Sequence, residues 1–242
     1  MLKLVNYIFK IKFNNTIVNQ KLLQFAIVSI YIDNLYLKST PMEITIIDLI
    51  NRIDNTNISD KRKDLLNPLQ DYLSLKVKQK TAVNINFICT HNSRRSQLSQ
   101  VWAKVIGDFY GHTINTFSGG IEVTSCNERT IDSLVRMGFE VRNPGGENPH
   151  YELKYHPNKP PITLFSKIYD DLPNPKTHFA AVMTCTHADE NCPFIPGAEK
   201  RISLPYEDPK TYDNTANEAK MYDERSIQIA TEMKYIFSGL LD

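Results

Sequence analysis

The chain has 242 residues, 41% of them hydrophobic and 23% charged, with a formal net charge of +1. That is enough sequence for one substantial core, or for one domain with an appendage, and the near-zero charge excludes a general nucleic-acid or membrane-surface role because no overall steering field exists. Four cysteines, Cys89, Cys126, Cys185 and Cys192, are too few for a disulfide scaffold at this length. They suit reactive thiols in a reducing cytoplasm.

Residues 1–41 carry five lysines against one acid, Asp33, and an apolar run from Leu22 to Ile32. A basic start followed by an apolar run invites a signal-peptide reading. The run is shorter than the ~20 residues of a membrane span, however, and no small-residue cleavage site follows it. This segment reads as a leader, loosely docked or hairpin-like, and Met42 is an alternative start. All nine glycines fall at or after Gly107, so the first eighty residues are a different kind of sequence.

Residues 42–82 read as a helical extension. Ile46, Leu49, Ile50 and Ile53 have helical spacing. A second helix follows the polar break at Asn55 to Ser59, capped by Ser59 or Asp60, with Leu65, Leu66, Leu69, Tyr72 and Leu73 as its stripe and a kink expected at Asn67-Pro68. Both helices are expected on the outside of the domain or on a second subunit.

From Val83 the pattern changes. Val83, Ile85, Phe87 and Ile88 make a strand, and Leu98, Val101, Trp102, Val105 and Ile106 make one face of a helix. Between them lies Cys89-Thr90-His91-Asn92-Ser93-Arg94-Arg95-Ser96. A loop of this length, leaving a strand and entering a helix, can turn its backbone N–H groups toward a tetrahedral oxyanion. A cysteine at its mouth has its thiolate stabilised by those dipoles and a nearby arginine, and Arg95 can hold two oxygens as a planar fork. Two arginines at a helix start oppose the macrodipole, which argues for a bound anion over a solvated first turn.

Thr113 to Gly120 then reads as a second strand, Asn127 to Met137 as a helix with Ile131, Leu134 and Val135 inward, and Phe139 to Val141 as a short third strand. Such alternation predicts a parallel sheet with helices on both faces and ligands at the carboxyl ends of its strands. Residues 143–178 are rich in proline and read as an irregular insertion with one candidate strand, Ile162 to Phe165. Tyr151, Tyr155 and Tyr169 within it are candidates to line an entrance or to cover an edge. Phe179 to Met183 is a buried strand leading into Cys185 and Cys192, which have six residues between them on what reads as a mobile polar loop. That spacing is not the usual zinc pattern and no second ligand pair accompanies it, so no metal is expected. A strand near Lys200 to Leu204, the Asp208-Pro209 turn, and a long helix packed through Ile227, Ala230, Met233 or the stem of Lys234, Ile236 and Phe237 complete the chain.

The Cys89 to Ser96 loop between an apolar strand and an amphipathic helix, the Cys185/Cys192 pair, and Asp208-Pro209, in that order, resemble the low-molecular-weight protein tyrosine phosphatase superfamily. Within it they are most similar to the thioredoxin-coupled arsenate reductases. The resemblance covers residues 83–242 apart from the insertion. It implies a three-layer α/β phosphatase-like domain, a small parallel sheet flanked by helices, preceded by the helical extension. It implies a cytoplasmic enzyme with no bound cofactor that takes arsenate and draws electrons from thioredoxin or another thiol donor; the alternative is hydrolysis of phosphotyrosine or small phosphomonoesters. Carried over by position, Cys89 is the nucleophile, Arg95 the anion fork, Asp208 the general acid, and Cys185 and Cys192 the disulfide relay. Asn92 braces the loop, Ser96 activates the thiolate, and Ser118 follows the second strand. The chain departs from the pattern at Arg94, where relatives often have a cysteine, and at Gln100, where some have a glutamate that helps hold potassium. Cys126 matches nothing and reads as structural.

Overall fold

The β-prone stretch Val83–Cys89 forms β1, and in the computed structural model, which describes residues 41–192 and 194–240, it lies at the centre of a four-stranded parallel sheet. Among the described residues, the elements before it are α1 (Pro41–Arg52) and α2 (Asp60–Lys78). After it come α3 (Arg95–Phe109), β2 (Ile114–Gly120), α4 (Glu128–Arg136), β3 (Glu140–Arg142), β4 (Tyr151–Lys154) and β5 (Ile162–Leu164). The chain continues with β6 (Phe179–Met183), α5 (Thr186–Asn191), β7 (Ala198–Ser203), a 3-10 turn (Pro209–Tyr212) and α6 (Glu218–Ser238). The expected leader, apart from Pro41, lies outside the described residues.

Sheet order is β2-β1-β6-β7. From β1 the chain passes through α3 to β2 on one side, and from β6 through α5 to β7 on the other. The carboxyl ends of β1 and β6 therefore flank the point where connections diverge, which is where open α/β sheets bind ligands. Ile88 pairs with Met183 across them, so Cys89 and Cys185 leave adjacent strands at nearly the same height.

Strand alternation sorts the side chains into two cores, as the pleat requires. Ile85, Phe87, Ala180, Val182 and Ile202 face one core with Leu98, Trp102, Ile106, Leu134, Ile229, Met233 and Phe237. Ile88, Phe179, Ala181 and Met183 face a smaller one with Cys89, Cys185, Ala188 and Ile195. Trp102, fully buried, satisfies its indole by donating to Ser226 Oγ at 2.9 Å.

The helices α1 and α2 belong to the larger core: Ile46, Ile50, Leu66, Leu69 and Leu73 are buried in it. Ser59 caps α2, accepting from the Arg62 N–H, and the helix runs on through Pro68 without interruption. Several expectations need correction. Val135 is 49% exposed while Leu134 and Ile131 are buried, because α4 lies against α6 and β3 with a single narrow face. On α6 the inward residue is Ile229 and not Ile227. Of the two alternatives on α6, Met233 is the residue buried in the core; the Lys234 ammonium caps the end of α1, donating to the carbonyls of Ile50 at 2.7 Å and Ile53 at 2.8 Å.

The insertion is more regular than its prolines suggest. The third strand does not join the parallel sheet; β3, β4 and β5 make a separate three-stranded antiparallel sheet. Tyr151, Leu153, Ile162 and Leu164 are its buried residues, so Tyr151 and Tyr155 serve packing. Tyr169 sits against the smaller core.

Candidate active site

The loop from Thr90 to Arg94 has its carbonyls claimed from outside. Thr90 O accepts from the N–H groups of Ile121 (2.8 Å) and Glu122 (2.9 Å), and Ser93 O from Asn127 N at 3.0 Å. His91 O accepts from Ser166 Oγ at 2.8 Å and Asn92 O from Gln97 Nε2 at 2.8 Å. In a trans peptide the next residue's N–H points opposite to the carbonyl. The N–H groups of residues 91–94 therefore face away from those partners and are available to an anion. Asn92 takes the left-handed conformation this needs, at φ 47°, which asparagine tolerates better than most residues. Gly120 is required alongside, because a Cβ there would stand 2.8 Å from both Asn92 N and Thr90 O.

Side chains complete the bracing. Fully buried Asn92 donates from Nδ2 to Ser96 Oγ at 2.9 Å, and Ser96 Oγ lies 3.1 Å from Cys89 Sγ. Since the serine oxygen already accepts from Asn92, its own proton is free to point at sulfur. Asn92 Oδ1 also accepts from Lys167 N at 3.2 Å, tying the loop to the insertion. Ser118 donates to Gln100 Oε1 at 2.6 Å. Ser93 Oγ donates to Ser125 O at 2.7 Å.

The two arginines diverge. Arg95 donates from Nη1 to Tyr206 O at 3.0 Å and from Nη2 to Asp208 Oδ2 at 2.6 Å, while its buried Nε has no partner among the described residues. Arg94 turns away, donating from Nε to Tyr222 OH at 2.8 Å, with Asp213 beyond at 3.5 Å. His91 pairs with Glu122 at 3.1 Å. Asp208 also caps the 3-10 turn, accepting from Lys210 N at 3.1 Å.

Cys185 and Cys192 are not on an irregular loop. They are the N-cap and C-cap of α5, and Cys185 Sγ accepts from Ala188 N at 3.3 Å in the way a cap serine would. Cys185 is buried, and Thr90 Oγ1 lies 3.4 Å from its sulfur. Cys192 is half-buried against the same small core as Cys89 and Cys185; burial raises its thiol above the ordinary range. All four cysteines are free thiols. Cys126, fully buried, is pushed up to about 12 by desolvation and is inert on that account.

Sequence reasoning missed several supports. Gln97 is buried, donating to Asn92 O and, at 2.8 Å, to Phe165 O. Lys167, inside the insertion, is 4% exposed with its ammonium 4.5 Å above the Phe165 ring, and burial lowers it to about 8. Arg62 on α2 donates to Pro205 O at 2.9 Å and stacks on Tyr206, the residue whose carbonyl receives Arg95. Among the described residues no cluster of three or more His, Cys, Asp or Glu side chains suits a metal ion. No helix among them is long and apolar enough to cross a membrane.

No protein-family model matches the chain. Among curated proteins, arsenate reductase 1 of Staphylococcus saprophyticus is 30% identical over 125 residues, 52% of this chain and 77% of that protein. Arsenate reductase 2 of Staphylococcus epidermidis is 29% identical over 126 residues, with the same shares. Solved structures with a similar arrangement include an arsenate reductase from Archaeoglobus fulgidus (16% identity, TM-score 0.43, 64% of this chain and 98% of that one). Another is a low-molecular-weight phosphotyrosine phosphatase from Vibrio cholerae (12%, 0.45, 65% and 95%). At the identity and coverage of the Staphylococcus saprophyticus protein, the chain belongs to the arsenate reductase family.

Proposed function

We propose that the protein reduces arsenate to arsenite in the cytoplasm through three of its own cysteines, with a thioredoxin-like protein returning the electrons. The observation that carries this is the gathering of Cys89, Cys185 and Cys192 around one small core at the ends of β1 and β6, beside an anion cradle. A phosphomonoesterase would use only Cys89, Arg95 and Asp208, and would leave a capped thiol pair with no task.

Arsenate is tetrahedral and anionic, so it enters the cradle formed by the N–H groups of residues 91–94. It competes with Asp208 for Arg95, whose fork is otherwise shared between that carboxylate and the Tyr206 carbonyl. Released from the pair, Asp208 is placed to protonate the departing oxygen. Cys89 thiolate attacks arsenic, forming a sulfur–arsenic bond as water leaves. Cys185 thiolate then attacks the Cys89 sulfur; the sulfur–arsenic bond breaks and its electron pair stays on arsenic. Arsenic(V) becomes arsenic(III), and two thiols become a Cys89–Cys185 disulfide. Cys192 attacks Cys185, frees Cys89, and leaves a Cys185–Cys192 disulfide spanning α5. Closing that bond requires α5 to unwind, since its two ends are held apart by the helical turn; at six residues the helix has little to lose.

The test is arsenite release with thioredoxin, thioredoxin reductase and NADPH, beside hydrolysis of an aryl phosphate. NADPH oxidation in step with arsenite supports the reading. Robust hydrolysis without NADPH oxidation overturns it.

A further inference from the structure

His187, the second residue of α5, follows Cys185 closely in sequence, and its ring is turned toward the same hydroxyl. Thr90 Oγ1 lies 3.2 Å from His187 Nδ1 and 3.4 Å from Cys185 Sγ. One hydroxyl therefore bridges a buried thiol and an exposed imidazole. The arrangement poses a chemical question. Cys185 must lose its proton before it can attack Cys89, yet it is 1% exposed, where water cannot take that proton directly.

We infer that His187 receives, through the Thr90 hydroxyl, the proton that Cys185 gives up, and so acts as the positioning base of the second thiol step. The inference rests on the relay proposed above. Before transfer, the thiol donates to Thr90 Oγ1, and Thr90 donates to Nδ1 of a neutral ring protonated at Nε2. The two protons shift together along this chain: the thiol proton goes to threonine and the threonine proton to histidine. The pattern then reverses, with imidazolium Nδ1–H donating to Thr90 and the Thr90 hydroxyl donating to a thiolate. That thiolate also accepts from Ala188 N at 3.3 Å. The proton ends on an exposed ring and passes to solvent, while the electron pair it leaves on sulfur forms the bond to Cys89.

The surrounding charges leave His187 as the group placed for this. His91 and Glu122, which flank Thr90, are paired with each other. Asp189 is held by Arg201 at 2.6 Å and Ser203 at 2.5 Å. Glu190 is exposed on the same helix, and Cys192 lies at its far end. Histidine is the side chain that exchanges protons near neutral pH.

The experiment uses the full chain with Cys192→Ser, which halts after one arsenite, with His187 intact or replaced by Gln or Ala. Rapid quench from about pH 5.5 to about 9 reads arsenite release and Cys89–Cys185 linkage by mass spectrometry. With His187 the rate of linkage should rise with pH to a plateau. His187→Gln should slow linkage about 10²-fold near neutrality, move the rise to higher pH, and leave arsenate KM unchanged. Linkage at the parent rate and profile in both variants overturns the inference and spares the relay. No linkage in any protein, His187 intact included, overturns both.

Discussion

Arg62→Ala should weaken both the fold and the site. Arg62 grips Glu232 with two hydrogen bonds of 2.8 Å, and the two side chains are 18% and 3% exposed. Its third contact is the Pro205 carbonyl, and its guanidinium lies 4.7 Å over the Tyr206 ring. Removing one partner of a buried pair costs about 3–5 kcal/mol, chiefly for the charge left behind. Glu232 keeps one donor, Gln228 Nε2 at 3.0 Å, which argues for the lower end, and the orphaned Pro205 carbonyl adds about 1 kcal/mol. A loss of about 4 kcal/mol is a large part of a typical 5–15 kcal/mol and lowers Tm by roughly 8–16 °C for a chain of this size. Because Tyr206 O receives Arg95, kcat/KM should fall as well, at temperatures where the variant remains folded. Urea denaturation measures the first effect and arsenite release at low temperature the second. Arg62→Met with Glu232→Met should recover most of the stability, since an apolar pair strands no charge. A single-variant loss under about 1 kcal/mol, or a double variant no better than the single, would refute the burial argument.

Asp208→Asn should slow arsenate turnover by about 10²–10⁴-fold, with a smaller loss for an activated aryl phosphate whose leaving group needs no proton; equal losses would assign Asp208 to turn structure. Lys167→Met should stabilise the protein at pH 7 and stop doing so near pH 10. The buried ammonium titrates at about 8 when folded, against the usual value of 10.5, so its charge opposes folding at pH 7 and below, and the penalty fades as pH rises from 8 toward 10.5. Urea midpoints across that range check it, and a gain independent of pH would reject charge burial as the cause. Glu199 is held down to about 2 by Lys76, Tyr72 and His178. A depressed carboxylate stabilises above its unfolded value, about 4.3, and loses that contribution as pH falls toward 2. Glu199→Gln should therefore flatten the acid limb of stability between those values, and an unchanged limb would place the acid sensitivity elsewhere.

The segment from β1 through α3 was legible because its elements carry strong periods. Five apolar residues at helical spacing set α3, and in β1 Val83, Ile85, Phe87 and Ile88 recur around Asn84 and Asn86 as a short β-prone stretch. The loop between them was legible from residue type and order. The insertion was not, because β3 has three residues and β4 four, and their pairing is fixed by tertiary contact and not by local pattern. The Cys185 to Cys192 stretch was read as a loop because its helix is a single short turn capped by a thiol, outside the usual cap residues. Arg62 and His187 escaped for a shared reason. Both are polar residues on helices, and nothing local in the sequence announces a partner 170 residues away or a hydroxyl bridge 97 residues away.

The central claim is that reduction passes from Cys89 to Cys185 and then to Cys192. Cys192→Ser tests it most directly, by peptide mapping of the spent enzyme with arsenite counted alongside. The relay predicts about one arsenite per site in a burst, then arrest with Cys89 joined to Cys185. Their bond lies at the anion cradle, on the buried side of α5, out of reach of an external thiol. Repeated turnover of arsenate with thioredoxin by this variant, or a spent enzyme in which Cys89 and Cys185 are never joined, would contradict it.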